Sequence, residues 1–89
     1  MATLRERKTY REQVMQELYK ATEGNRLLGI TGAKLHDELG IDAQDLAAAC
    51  TYLVGEGLVT VDWAAGNTPA MVSLTHQGIR LMEAEEERG

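Results

Sequence analysis

The chain is poor in the residues that carry covalent and metal chemistry. Its 89 residues include one cysteine, one proline, one tryptophan and no phenylalanine. With Cys50 alone, no intrachain disulfide can form, and nothing suggests secretion. His36, His76, Cys50, Asp37 and Asp42 are metal-competent types, but no two stand at a ligand spacing such as His-x-x-x-His or Cys-x-x-Cys. No Gly-rich phosphate loop, Ser-His-Asp set or paired-carboxylate pattern is present, so neither an enzyme, a cofactor nor a metal is expected. No apolar run approaches the ~20 residues that cross a bilayer, and the first residues are charged where a signal peptide would be apolar. The expectation is a cytoplasmic protein with no membrane association.

Basic charge is scarce too. Nine Lys and Arg stand against fourteen Asp and Glu, a net charge of −5. A generic nucleic-acid binder has the opposite sign. The distribution is uneven as well: Arg5, Arg7, Lys8 and Arg11 crowd one end, while Glu83, Glu85, Glu86 and Glu87 crowd the other. From His36 onward only Arg80 and Arg88 are basic, against ten acids.

What the chain does have is one domain's worth of patterned elements, spanning 1–89. Residues 1–8 can extend as a flexible basic arm, and 84–89 are read as a frayed acidic tail. A first helix is expected from about Thr9 to Glu23, with an earlier start at Leu4 left open, because both Thr3-Leu-Arg-Glu6 and Thr9-Tyr-Arg-Glu12 match a capping box. Tyr10, Val14 and Leu18 form its apolar stripe, and Gly24-Asn25 is the expected stop. Leu27, Leu28 and Ile30 suggest a short strand.

Thr31 is placed to cap a second helix, with Ala33, Leu35, His36 and Leu39 turned inward and Gly40 as its left-handed terminator. Asp42 is placed to cap a third, whose inward stripe is Leu46, Ala49, Cys50 and Leu53 and whose stop is Gly57. Leu58–Trp63 and Met71–Leu74 alternate as strands, with Gly66-Asn67 and Pro69 as the turn between them. Thr75 then caps a last helix burying Ile79 and Met82. The fold class is α+β, mainly α: a three-helix core, a two-stranded wing and a C-terminal helix.

Ile30-Thr-Gly-Ala-Lys-Leu35, Leu39-Gly-Ile-Asp42, Gly57-Leu-Val59 and Leu74-Thr-His-Gln-Gly78 resemble the framework of winged helix-turn-helix regulators of the MarR and PadR type. The resemblance runs through nearly the whole chain and rests on core and turn positions. It implies a small DNA-binding regulator, homodimeric through its N- and C-terminal helices. It also places Ala43, Gln44, Ala47, Ala48 and Thr51 toward a groove, with Thr31 and Lys34 on phosphates.

Two departures keep a second class of function open. The third helix holds no Lys or Arg, and the wing tip Ala64–Pro69 is uncharged. The same face then suits docking of another protein, with no nucleic acid involved. If DNA is bound, Gln44 is suited to adenine and Asp45 to a cytosine amino group. The cluster Arg5, Arg7, Lys8 and Arg11 is either a phosphate-binding arm, or a helix face that is solvated or paired with the acidic C-terminal helix within or between subunits. Trp63 is placed as a rim contact or dimer anchor.

Overall fold

Helix α1 (Leu4–Thr22) starts at the earlier of its two candidate caps. The Thr3 hydroxyl accepts from the Glu6 amide and the Glu6 carboxylate accepts from the Thr3 amide, at 3.1 and 2.9 Å, which satisfies two otherwise orphaned N–H groups. Thr9 is spent inside the helix instead, its hydroxyl donating to the Arg5 carbonyl one turn back. The computed structural model describes residues 3–23, 28–66 and 68–88. The expected stop at Gly24-Asn25, Leu27 of the expected strand and Asn67 of the expected turn lie outside them. Glu23 itself takes the left-handed conformation, φ 53°, as the C-cap of α1.

After a two-residue strand, β1 (Ile30–Thr31), helix α2 (Gly32–Leu39) is capped by Thr31 and ends at Gly40, φ 67°. Helix α3 (Ala43–Gly55) is capped by Asp42 and is followed by Gly57 at φ 73°. Both glycines occupy backbone that a Cβ disfavours, and both hold the left-handed positions expected of them. Of the four residues expected inward on α2, Leu35 is buried and Leu39 half-buried, whereas Ala33 and His36 are exposed. An eight-residue helix lying against the sheet has room for one buried row.

The wing is β2 (Val59–Ala64) and β3 (Thr68–Leu74), paired antiparallel from Val59↔Leu74 to Ala64↔Thr68. β1 adds to the far side of β3, giving the order β1-β3-β2. Pro69, expected in the turn, is a buried strand residue. It sits opposite Trp63, where the ladder shifts register after Asp62, and beyond the reach of β1; those are the places where a strand tolerates a missing N–H.

Helix α4 (His76–Arg88) begins at Thr75, which accepts from the Gly78 amide and donates to the Gly57 carbonyl. One hydroxyl thereby joins the last helix to the turn after α3. Val14, Leu18, Leu35, Ile41, Leu46, Cys50, Leu53, Val59, Val72 and Leu74 form the core where the helices meet the sheet. Ile79 and Met82 are half-buried against it, and the Tyr19 hydroxyl donates to Glu83 across α1 and α4.

Candidate nucleic-acid interface

The two helices that frame the site are fixed by the turn between them. Ile41 is buried in that turn, and a His36 Nδ1 hydrogen bond to the Ile41 carbonyl ties the end of α2 to it. The Asp42 carboxylate accepts from the Gln44 amide at 3.2 Å and starts α3. Because Leu46, Ala49, Cys50 and Leu53 are all buried, the opposite side of α3 is set by helical periodicity. Gln44, Ala48 and Thr51 are exposed there and Ala47 is half-buried.

The wing supplies the facing wall. Trp63 of β2, 42% exposed, closes an open groove of about 390 Å³ with Ala47, Ala48 and Thr51. Among the described residues, no charged side chain lines it. The Thr51 hydroxyl donates to the Ala47 carbonyl at 2.9 Å, which occupies its proton and leaves its oxygen as an acceptor beside the methyl. Three of the sequence-chosen contact residues therefore share one surface, and Trp63 joins them. Gln44 lies on the same exposed side, one turn before Ala48.

The other flank of α3 carries cations that are absent from α3 itself. Arg7 and Arg11 of α1 border a small hollow with Asp45, Ala48 and Ala49. The Arg11 guanidinium lies 3.6 Å from the centroid of the Tyr52 ring. Asp45, expected beside Gln44 as a base contact, belongs to this flank and is half-buried. Along the same stretch, desolvation raises the Tyr10 phenol above its ordinary value, with Glu6, Asp45 and Asp42 adding repulsion.

The basic cluster is thus split by helical geometry. Leu4–Lys8 are the opening turns of α1, not an extended arm. Arg7 and Arg11, one turn apart, border α3, whereas Lys8 lines a second cleft with Glu12 of α1 and Glu85 of α4, which Arg11 borders as well. Arg5 is exposed at the start of the helix. Thr31 and Lys34 stand together at the start of α2, with the Thr31 hydroxyl accepting from the Lys34 amide at 3.1 Å and the Lys34 side chain exposed. The pairing of Arg11 with Tyr52 escaped the sequence reading. The four-residue spacing of Arg7 and Arg11 was the available signal, since it places both on one face.

Cys50 is buried, and that burial pushes its thiol up to about 11, which makes it a poor nucleophile. Among the described residues, no group of three or more His, Cys, Asp or Glu side chains is placed to hold a metal ion. Nor is any described helix long and apolar enough to cross a membrane.

No protein-family model matches the sequence, and no curated protein matches it either. Among solved structures, the chain is similar to a MarR family regulator from Neisseria meningitidis, with a TM-score of 0.62 and 24% identity. The alignment covers 88% of this chain and 54% of that one, so the chain spans about half the length of the regulator. The likeness, together with four helices and a three-stranded antiparallel sheet among the described residues, shows the fold to be a winged helix-turn-helix.

Proposed function

We propose that the protein is a small winged-helix regulator that binds duplex DNA through α3 and the wing, and acts as a homodimer in the cytoplasm without catalytic activity. The observation that carries this reading is the placement of Arg7 and Arg11 along one flank of α3, opposite Trp63 on the other. A helix lying in the major groove has a phosphate backbone on each side. Cations are useful at those borders, and the base edges are met by the uncharged middle. Lys34 and Thr31 at the start of α2 add a further phosphate-binding point.

Pairing of two copies is supported by the terminal helices. Leu4 is 74% exposed on α1 and Leu81 38% exposed on α4, and the two helices carry opposite charge. An interface using both would be self-complementary about a two-fold axis.

The test is a fluorescence anisotropy titration of labelled mixed-sequence duplex at low salt. Binding is expected with a shallow dependence on salt, with about three to five phosphates neutralised per subunit setting the log–log slope. Lys34→Ala should weaken every duplex alike, whereas Gln44→Ala should change which duplex is preferred. No binding at low salt and micromolar protein would defeat the proposal.

A second reading is a protein-docking module. It is favoured by the uncharged groove beside Trp63 and by the net charge of −5. Lack of DNA binding by a folded protein would leave this reading standing.

A further inference from the structure

Among the described residues, the surface that α3 and the wing present between their borders carries no charged side chain, and its lining is part polar and part apolar. Ala47, Ala48 and Thr51 form the floor of the groove and Trp63 its wall. The Thr51 hydroxyl donates its proton to the Ala47 carbonyl and keeps only acceptor capacity toward a ligand. Gln44, exposed one turn earlier, is a polar side chain on the same side.

Each of these groups has a base-edge counterpart in the major groove. Alanine and threonine methyls pack on the C5-methyl of thymine, and a glutamine amide pairs with N6 and N7 of adenine. The groups that read the other base pair are missing or misplaced. Guanine is commonly read by Arg or Lys through O6 and N7, and α3 contains neither. The cytosine amino group is commonly read by a carboxylate, and the one expected to do so, Asp45, is half-buried on the flank with Arg7 and Arg11.

We infer that the target of this site is a run of A·T base pairs read in the major groove chiefly through thymine methyl groups, with Thr51 and Trp63 as specificity-determining residues and Gln44 on an adenine. The inference rests on the DNA-binding reading and deepens it by naming the class of sequence. Discrimination comes from burial of methyl groups, so it should not weaken with salt as the phosphate contacts do.

The experiment compares four labelled duplexes of equal length: A·T-rich DNA with thymine, the same DNA with deoxyuridine at each thymine, G·C-rich DNA, and the same with 5-methylcytosine. Deoxyuridine removes only the C5-methyl, and 5-methylcytosine restores a methyl at that position. The thymine duplex should bind best, with roughly a fourfold loss for each buried methyl removed. Methylation of the G·C duplex should recover part of the affinity.

Thr51→Ser keeps the bond to the Ala47 carbonyl and deletes the outward methyl. It should narrow the thymine-to-deoxyuridine ratio by about the same factor. Trp63→Ala should narrow the ratio too. Equal affinity for thymine and deoxyuridine duplexes, or a preference for G·C, overturns this inference and leaves DNA binding intact. Failure of all four duplexes to bind a folded protein overturns both.

Discussion

Arg11 of α1 lies over the ring of Tyr52 of α3, its guanidinium carbon 3.6 Å from the centroid. The contact spans two helices and sits where Tyr52 is still 46% exposed, so one face of the ring is covered and the rest meets water. It both fastens α1 to α3 and holds a cation at the border of the candidate interface.

Replacing that cation should therefore have two separable effects. Arg11→Gln is expected to cost about 0.5–1 kcal/mol of stability, the range for a cation–π pair at an exposed site. It should also lower the log–log salt slope of DNA binding by about one, as one phosphate contact goes. Tyr52→Leu should reproduce the stability loss with the slope unchanged. Urea melts and salt titrations of the two variants separate these outcomes.

Glu23 holds a left-handed backbone without being glycine. The conformation costs an L-residue roughly 1–2 kcal/mol, partly offset in a glycine by the greater freedom of the unfolded chain. Glu23→Gly should raise stability by about 0.5–1 kcal/mol, a few degrees in Tm. A lower Tm would mean that α1 does not end there in solution.

Gly32 packs so closely on the wing that a Cβ would fall 1.9 Å from the Pro69 carbonyl oxygen, well inside contact distance. That atom is main chain and cannot swing aside. Gly32→Ala is expected to destabilise by about 1–3 kcal/mol and Gly57→Val, at φ 73°, by roughly 1 kcal/mol or more. A Gly32→Ala protein that melts like the parent would show that wing and α2 are not joined as described.

Cys50 and Tyr19 set the alkaline limit. Burial raises the thiol to about 11, and the bond to Glu83, ahead of desolvation, raises the Tyr19 phenol. Both groups hold their protons more tightly folded than unfolded. Their contribution is complete below the unfolded pKa values and is lost as pH rises through the folded ones. Stability should be flat through neutrality and fall from about pH 8.5 upward, first through the thiol. Thiol alkylation at pH 8 should be slow until denaturant is added; rapid labelling of the native protein would contradict the burial.

Removing Glu83–Gly89 deletes the acceptor of the Tyr19 bond and the acid that shares a cleft with Lys8. The fold should survive, since the buried core lies upstream, with a loss of about 1 kcal/mol. Affinity for DNA is expected to rise as the acidic block goes. A folded truncation with unchanged affinity would show that the tail does not oppose binding.

The framework was legible because its signals are local and repeat. Thr31, Asp42 and Thr75 cap helices where a cap precedes an apolar period, and Leu46, Ala49, Cys50 and Leu53 turn inward as their spacing requires. What escaped depends on contacts between elements distant in the chain. Pro69 reads as a turn residue until the neighbouring register shift and the short reach of β1 are known. The division of the basic cluster is the same kind of case. Arg7 and Lys8 are adjacent in sequence, but a helix sends adjacent residues about 100° apart, so one meets α3 and the other the cleft near α4. The proposed contact face came from the resemblance to winged helix-turn-helix regulators, which placed Gln44, Ala47, Ala48 and Thr51 on the side of α3 away from its buried stripe. Trp63 joined it only when the wing was folded back.

The seat of Gly32 on the Pro69 carbonyl bears on how such a protein can change over generations. The wing is registered to the helix-turn-helix by main chain, and the turn before α3 is set by Gly40, Ile41 and the Asp42 cap. None of these is a groove-lining side chain. Gln44, Ala47, Ala48, Thr51 and Trp63 can then vary with little penalty to folding, and a duplicated copy of the gene could acquire a new target by point mutation alone. Lineages carrying this scaffold are expected to drift fastest on that surface while the glycine seated on the wing stays fixed.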